Sequence, residues 1–239
     1  MPHYRDEAIV LRTHKLGEVD RILTLLTKNH GQIRAVAKGV RKTSSRFGAR
    51  LEPFMVADLQ LYEGKNLDTV SQAEQLSNYG SKIVADYPRF TAASAVVEAA
   101  EKLTRETSST QHYLLVIGAL RTLSNFDELP DQVLDSYLLR ALAISGWVPS
   151  LESCHECQGA PSHFSTHSGS VSCANCQLAG AVMVGQTGLE HMAALLSGDW
   201  ERVRLAEKSV RNLVSGVISG YLQWQLERGL KSLQHVERT

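Results

Sequence analysis

The chain changes its hydrophobic period once, near residue 80. Before that point apolar residues come in short runs or alternate with polar ones. Residues 8–13 and 21–27 are rich in Ile, Val, Leu and Thr, and both read as strands. The turn Asn29-His30-Gly31 leads into 32–37, where Ile33, Ala35 and Ala37 alternate with Gln32, Arg34 and Lys38, and only Val36 breaks the pattern. A run at 54–62 follows, and Glu63-Gly64-Lys65-Asn66 reads as a hairpin turn into a last strand at 67–73. Five short strands in one segment predict a small barrel, for which the five-stranded OB-fold is the natural candidate; a small open sheet is the other arrangement.

From Arg89 onward apolar positions recur every three to four residues. Ala93, Val96, Val97, Ala100 and Leu103 form one stripe, ending near Thr107-Ser108-Ser109. Tyr113, Ile117 and Leu120 mark a second helix. Pro130 and Asp131 open a third, with Leu134, Tyr137, Leu138, Ala141 and Leu142 on one face and Gly146 and Pro149 as its stop. Helices resume at 187–196, stopped by Gly198, and at 207–230, where Val210, Leu213, Val214, Val217, Tyr221 and Trp224 predict the buried face. Gly216 and Gly220 cost this helix about 1 kcal/mol each relative to Ala, and the expectation is that they admit a neighbouring helix. The stripes read as bundle core, because an isolated helix has nowhere else to bury such a face. The fold class is therefore α+β. An N-terminal five-stranded OB-fold barrel (1–80) precedes an all-α domain (81–239), and a four-cysteine ribbon (150–185) is inserted in the helical part.

All four cysteines fall in that insertion, as Cys154-x2-Cys157 and, after fifteen residues, Cys173-x2-Cys176. Two Cys-x-x-Cys knuckles at this separation predict one zinc ion held by four thiolates. Four protein ligands close the coordination shell, so the ion is expected to be structural. The first residues lack the apolar core of a secretion signal and no apolar run approaches a membrane span, so a cytoplasmic location is expected and disulfides are not. His155, His163 and His167 lie in the same insertion and are expected as exposed loop residues. A zinc deaminase needs His-x-Glu before its Pro-Cys-x-x-Cys; here Ser153 and Ser172 precede the knuckles, and the sole His-x-Glu is His235-Val236-Glu237, after them. Neither a phosphate-cradling Gly-x-x-x-x-Gly-Lys-Ser/Thr nor a Gly-x-Ser-x-Gly elbow occurs. The expectation is a protein that is not an enzyme.

A net charge of zero conceals strong segregation. From Arg21 to Leu51 there is no acid, and Arg21, Lys28, Arg34, Lys38, Arg41, Lys42, Arg46 and Arg50 are all basic. From Ala141 to Glu201 there is no Lys or Arg, but Glu152, Glu156, Glu190, Asp199 and Glu201. The loop 39–50, rich in Gly and Ser, reads as a mobile arm over a phosphate backbone, with Arg21, Arg34, Lys38, Arg41, Lys42, Arg46 and Arg50 as the DNA-binding candidates. The ribbon reads otherwise, because zinc with four thiolates carries a formal charge of about −2 and would repel phosphate. It is expected to act as a metal staple.

Ala8-Ile9-Val10-Leu11-Arg12, Gly17-Glu18-x-Asp20-Arg21-Ile22, Leu25-Leu26-Thr27, Gly31 and Ala37-Lys38-Gly39-x-Arg41-Lys42 resemble the bacterial recombination mediator family RecO. So do Ser45-Arg46-Phe47-Gly48, Leu51-Glu52-Pro53-Phe54 and Leu61-Tyr62-x-Gly64, and the helical domain with its cysteine quartet fits the same family. The resemblance implies an OB-fold followed by a helical domain with a zinc ribbon. It also implies a recombination mediator in DNA repair that binds single- and double-stranded DNA, anneals complementary strands and helps load RecA onto DNA coated with single-strand-binding protein. RecR and the acidic C-terminal tail of single-strand-binding protein are the implied partners, and the location becomes cytoplasmic and nucleoid-associated. The family's cationic residues map onto Arg21, Lys38, Arg41, Lys42 and Arg46, and its ligands onto the four cysteines. The other reading is a zinc-ribbon adaptor or regulator that binds RNA or an acidic protein through the basic domain. Aromatic residues make up only 6% of the chain, so phosphate contact is expected to dominate over base stacking. Phe47 is the expected stacker, with Phe54 and Tyr62 assigned to the barrel core or edge.

Overall fold

The computed structural model describes residues 2–105, 109–125, 128–178, 180–227 and 229–238. The chain forms two compact units, Met1–Asp127 and Glu128–Thr239. The first is built on β1 (His3–Leu16), β2 (Asp20–Thr27), β3 (Gln32–Ala37), β4 (Val56–Tyr62) and β5 (Asp68–Ser77), closed into a barrel in the order β1-β2-β3-β5-β4. Only the β3–β5 pair is parallel. This is the OB-type arrangement expected from the strand spacing. β1 is longer than the apolar run that announced it, because it serves two neighbours. Its first half pairs with β4 and its second with β2, and an irregularity between Val10 and Arg12 lets the strand bend from one to the other. A buried carboxylate, Asp6, ties the β2–β3 turn to β1 by accepting from Asn29 N (3.0 Å), Asn29 Nδ2 (2.8 Å) and His30 Nδ1 (2.6 Å).

Period-two alternation supplies two apolar faces here. Ala8, Val10, Leu23, Leu25, Ala35, Ala37, Ala57, Leu59, Leu61 and Val70 fill the barrel. Ile9 and Leu26, paired across β1 and β2, are also fully buried, but outside that cluster. The helices cover them: α2 (Tyr87–Leu103) packs on β1 and β2, and α3 (Thr110–Asn125) on β2, after a short α1 (Tyr79–Ile83) that the periodicity did not announce. Tyr113 Oη donates to Glu7 Oε2 (3.3 Å) and Thr110 Oγ1 to the Lys28 carbonyl (3.0 Å). Secondary structure changes from strand to helix near residue 80, as expected, while the compact unit continues through α3. The expected end of the first long helix, near Thr107 and Ser108, lies outside the described residues.

In the second unit α4 (Pro130–Ile144) packs against α5 (Gly185–Ser197) and α7 (Lys208–Leu226), with α6 (Trp200–Leu205) beside α5. The expected face of α4, from Leu134 to Leu142, is buried. Between α4 and α5 the chain makes a small sheet from β6 (His163–Ser165), β7 (Ser170–Ser172) and β8 (Val182–Met183) in the order β7-β6-β8. Two expectations for α7 fail. Leu213 and Trp224 are exposed, because the buried stripe runs through Val214, Val217, Ile218, Tyr221 and Leu222. Nor do the glycines seat a helix: a Cβ at Gly216 would meet nothing within 4 Å, and at Gly220 only Thr166 Cγ2 of the ribbon, at 3.5 Å. No helix among the described residues is long and apolar enough to cross a membrane.

Candidate nucleic-acid interface and metal centre

Apart from Arg21 on β2, the candidate basic residues lie on β3 and on the segment that joins it to β4. Arg34 is on the outer side of β3, where the inward positions are Ala35 and Ala37. In register it stands beside Thr24, which in turn pairs with Arg12 on β1. Arg34, Lys38, Arg41, Lys42, Arg46 and Arg50 are all exposed. Arg21 differs, since its Nη1 donates to Glu52 Oε1 at 2.6 Å and its side chain is only 23% exposed. The acid-free stretch of sequence is therefore not an acid-free surface, because Glu52 and Asp20 return from just outside it. Asp20 Oδ1 accepts from the Gly39 amide at 2.7 Å.

The joining segment is a built loop and not the mobile arm its glycines and serines predict. Val40, Phe47 and Leu51 insert into the barrel core. The Arg41 amide donates to the Val19 carbonyl (3.0 Å), and Arg41 Nη1 to the Glu18 carbonyl (2.8 Å), which binds the loop to the β1–β2 turn. A 3-10 turn, Gly48–Leu51, closes it, with Arg50 Nη1 donating to the Arg46 carbonyl at 3.0 Å. Phe47 is 1% exposed, so the expected stacker is a core residue. The Arg46 guanidinium lies 4.9 Å from its ring centroid. Each inserted side chain thus leaves its basic neighbours standing on the outside, at fixed positions.

Three exposed basic groups escaped the sequence reading: Arg12, His14 and Lys15, on the second half of β1. Arg12 is 3.7 Å from Glu101, and His14 pairs in register with Ile22, beside Val36 on β3. The strand read at 8–13 held Arg12 but stopped short of His14 and Lys15, because Thr13-His14-Lys15 offers no apolar residue to extend the run.

In the second unit the four cysteine sulfurs all lie within 4.8 Å of one another. Cys157 Sγ and Cys173 Sγ are 3.7 Å apart. A tetrahedral zinc with bonds of about 2.3 Å spaces its sulfurs by about 3.8 Å, so the donor set fits one such ion. The first knuckle turns tightly: the Cys154 amide donates to the Gly159 carbonyl (2.9 Å), and Gln158, at φ 60°, donates back to Cys154 (3.0 Å). A Cβ at Gly159 would come within 3.3 Å of Cys157 Sγ. Backbone N–H groups of Cys157 and Cys173 directed at Cys154 pull its thiol down to about 6, while the sulfurs of Cys173 and Cys157 push the Cys176 thiol up to about 12, the mutual opposition of crowded thiolates that a cation among them relieves.

The ribbon histidines do not join the sulfurs. His155 Nδ1 faces the Val171 carbonyl at 3.2 Å, and His167 stacks on Trp224. His163 is buried, against expectation, because it is part of β6 with its Nδ1 2.8 Å from Ser162 Oγ. The sheet is held to α7 by Phe164, fully buried and edge-on to Tyr221 at 5.5 Å.

Sequence comparison agrees with this architecture. The family described as recombination protein O, N terminal, matches residues 1–79, and that described as recombination protein O, C terminal, matches 84–234. A protein of Nocardioides sp. named DNA repair protein RecO is 50% identical over 98% of this chain and 99% of its own. Proteins of the same name from Thermobifida fusca and Streptomyces coelicolor are 49% and 46% identical over the full length of both chains.

Proposed function

The chain belongs to the RecO family of DNA repair and recombination proteins, and from that premise we propose that it is a recombination mediator that grips DNA through its barrel. The observation that carries the reading is the exposed cationic set Arg34, Lys38, Arg41, Lys42, Arg46 and Arg50 on one strand and one anchored loop of an OB-type barrel. Such groups contact phosphates and leave base edges free, which is what a protein that brings complementary strands together requires. With Phe47 buried, no aromatic side chain of the loop is available as a platform, so binding is independent of sequence and extends to single and double strands. Arg21 belongs to the set as a buttress, its charge engaged by Glu52.

The same premise supports annealing, help in loading RecA onto DNA coated with single-strand-binding protein, and RecR and the acidic tail of that coating protein as partners in the cytoplasm. Binding and positioning suffice for these tasks, and no chemical step is required of the protein. The four thiolates would hold one zinc that fastens both knuckles of the ribbon. Its chemistry is that of a closed shell, with no position for water or substrate.

The test is a salt titration. Affinity for oligothymidylate, followed by fluorescence anisotropy, is expected to fall steeply and linearly in log[salt], with charge reversal at Arg41 and Lys42 weakening all sequences alike. A flat salt dependence would sink the proposal. Annealing of strands coated with single-strand-binding protein is the functional counterpart.

A further inference from the structure

The outer face of β1–β3 carries cations along two lines, with an uncharged strip between them. In register, Arg12 of β1 stands beside Thr24 of β2, and Thr24 beside Arg34 of β3. One step along, His14 stands beside Ile22, and Ile22 beside Val36. Residues in register share a face of the sheet, and Leu23, Ala35 and Ala37, which alternate with these positions, point into the barrel. All of these side chains therefore stand on the outside. Arg12, His14 and Arg34 are exposed, Ile22 and Val36 are half-buried and Thr24 is buried. Neighbouring strands lie about 4.8 Å apart, so Arg12 and Arg34 start about 10 Å from each other.

The rim of the strip stays cationic after its acids are counted. Glu101 of α2 lies 3.7 Å from Arg12 but is largely withdrawn, 18% exposed against 56% for the arginine side chain. Glu18 is exposed in the β1–β2 turn, where Arg41 Nη1 donates to its carbonyl at 2.8 Å. Against these two stand Arg12, Arg34, Lys38 and Arg41. A single DNA backbone is one line of phosphates, and β3 with its loop already supplies one line of cations for it. A cation about 10 Å away, across an uncharged strip, calls for a second line. What opposes the pairing of two strands is the repulsion of two polyanions, which at about 10 Å, one Debye length in 0.1 M salt, is only partly screened. Two cationic lines at that spacing neutralise both backbones at once, and phosphates that flank a minor groove about 6 Å wide stand at a separation of the same order.

We propose that β1 carries a second phosphate line, Arg12 with His14, which receives the second DNA strand while β3 and the loop hold the first, over a floor of Thr24, Ile22 and Val36. The inference rests on the reading of the barrel as a grip on DNA and adds to it a place for each strand of a pair.

The full-length double variant Arg12→Gln/His14→Gln tests the assignment. Its affinity for an oligothymidylate of about eight nucleotides, within the site of one barrel, is expected to stay within about twofold of the parent. For a short duplex the slope of log affinity against log[salt] is expected to fall by about 1, and annealing of two complementary strands to slow about fivefold. Glu101→Gln, which frees Arg12, is expected to act in the opposite sense and raise both duplex affinity and annealing rate. Thermal melting confirms that the variants are folded. Duplex affinity and annealing at the parent's level in the double variant overturn the proposal. So does an equal loss for oligothymidylate and duplex, which would put Arg12 on the first strand's track, and so does Glu101→Gln without any gain. Failure of the underlying reading looks different, because the parent's own affinity then shows no salt dependence.

Discussion

Arg238, almost at the C-terminus, donates from Nη1 to Oδ1 of Asp135 at 2.8 Å, and Asp135 is fully buried in the middle of α4. Ser215 Oγ of α7 also donates to Asp135, and Arg238 Nη1 reaches Ser215 Oγ at 3.1 Å. A terminal arm thus supplies the counter-charge for a carboxylate that the helices alone leave in a low-dielectric core. Removing one partner of such a pair strands the other, at about 3–5 kcal/mol. Arg238→Ala is expected to lower stability by an amount of that order in thermal or urea unfolding, whereas Asp135→Asn removes the stranded charge and largely suppresses the effect of Arg238→Ala. Additive losses in the double variant would show that the pair is not the cause.

The same carboxyl sets a pH dependence. Desolvation raises the Asp135 pKa above its ordinary value, and Arg238 and Ser215 pull it part of the way back. A carboxyl raised in the folded state binds its proton more tightly there than in the unfolded chain, so its ionisation opposes folding. The associated stability is present below the unfolded value near 3.8 and is lost as pH rises through the folded value. Arg238→Ala removes a lowering influence and widens that window. The variant's deficit relative to the parent should therefore shrink as pH falls from 7 toward 4, measured by urea midpoints at each pH. A deficit that grows on acidification would contradict this assignment.

Phe47 plugs the barrel together with Val40 and Leu51. Phe47→Ala is expected to cost about 3–5 kcal/mol through the cavity it leaves, and Phe47→Leu much less. If Phe47 were a base stacker, the alanine variant would lose DNA affinity at unchanged stability. The melting temperature and the anisotropy titration together separate the two.

That plug also shows where the sequence stops being informative. Strand period two, helix period 3.6 and the spacing of Cys154, Cys157, Cys173 and Cys176 are local signals, and they led to the barrel, the helices and the thiolate cluster. Phe47 and Val40 lie among Gly, Ser, Arg and Lys, so local composition assigned the loop to solvent, and only barrel closure decides which two or three side chains turn inward. Arg21 read as a free cation because Glu52 is 31 positions away. Asp135 and Arg238 are 103 positions apart, and nothing near either residue announces the other. Trp224 fitted the helical stripe, but the ribbon's Phe164 takes the place against Tyr221, and the indole is left to His167.

Two glycines of the second unit should respond to alanine in opposite senses. Gly169 has φ +67°, and a Cβ there would lie 2.3 Å from Tyr221 Oη, so either the backbone or the buried Tyr221 ring, which donates to the Trp147 carbonyl, must move. Gly216 lies within α7 at ordinary helical φ, and a Cβ there would meet nothing within 4 Å. Gly169→Ala is expected to destabilise by more than about 1 kcal/mol, and Gly216→Ala to stabilise by about 0.5–1 kcal/mol. Loss of stability in both variants would mean that α7 carries a contact at Gly216 not formed within this chain.

The cysteine site and the cationic loop lie in different compact units, so they should fail separately. Cys154 is fully buried, and its sulfur is among four that lie mutually within 4.8 Å. Cys154→Ser removes one thiolate from a closed shell and should release the metal, measured as zinc per protein by elemental analysis. The ribbon has few other supports, chiefly Phe164, Val171 and Val184 as its buried apolar side chains. Amide hydrogen exchange should therefore rise across β6–β8 and in the part of α7 around Tyr221. The barrel has its own core and its own charges, so oligothymidylate affinity should stay within about twofold of the parent, since no phosphate contact is removed. A variant that keeps its exchange protection but loses DNA binding would reverse the assignment and place the nucleic acid on the ribbon.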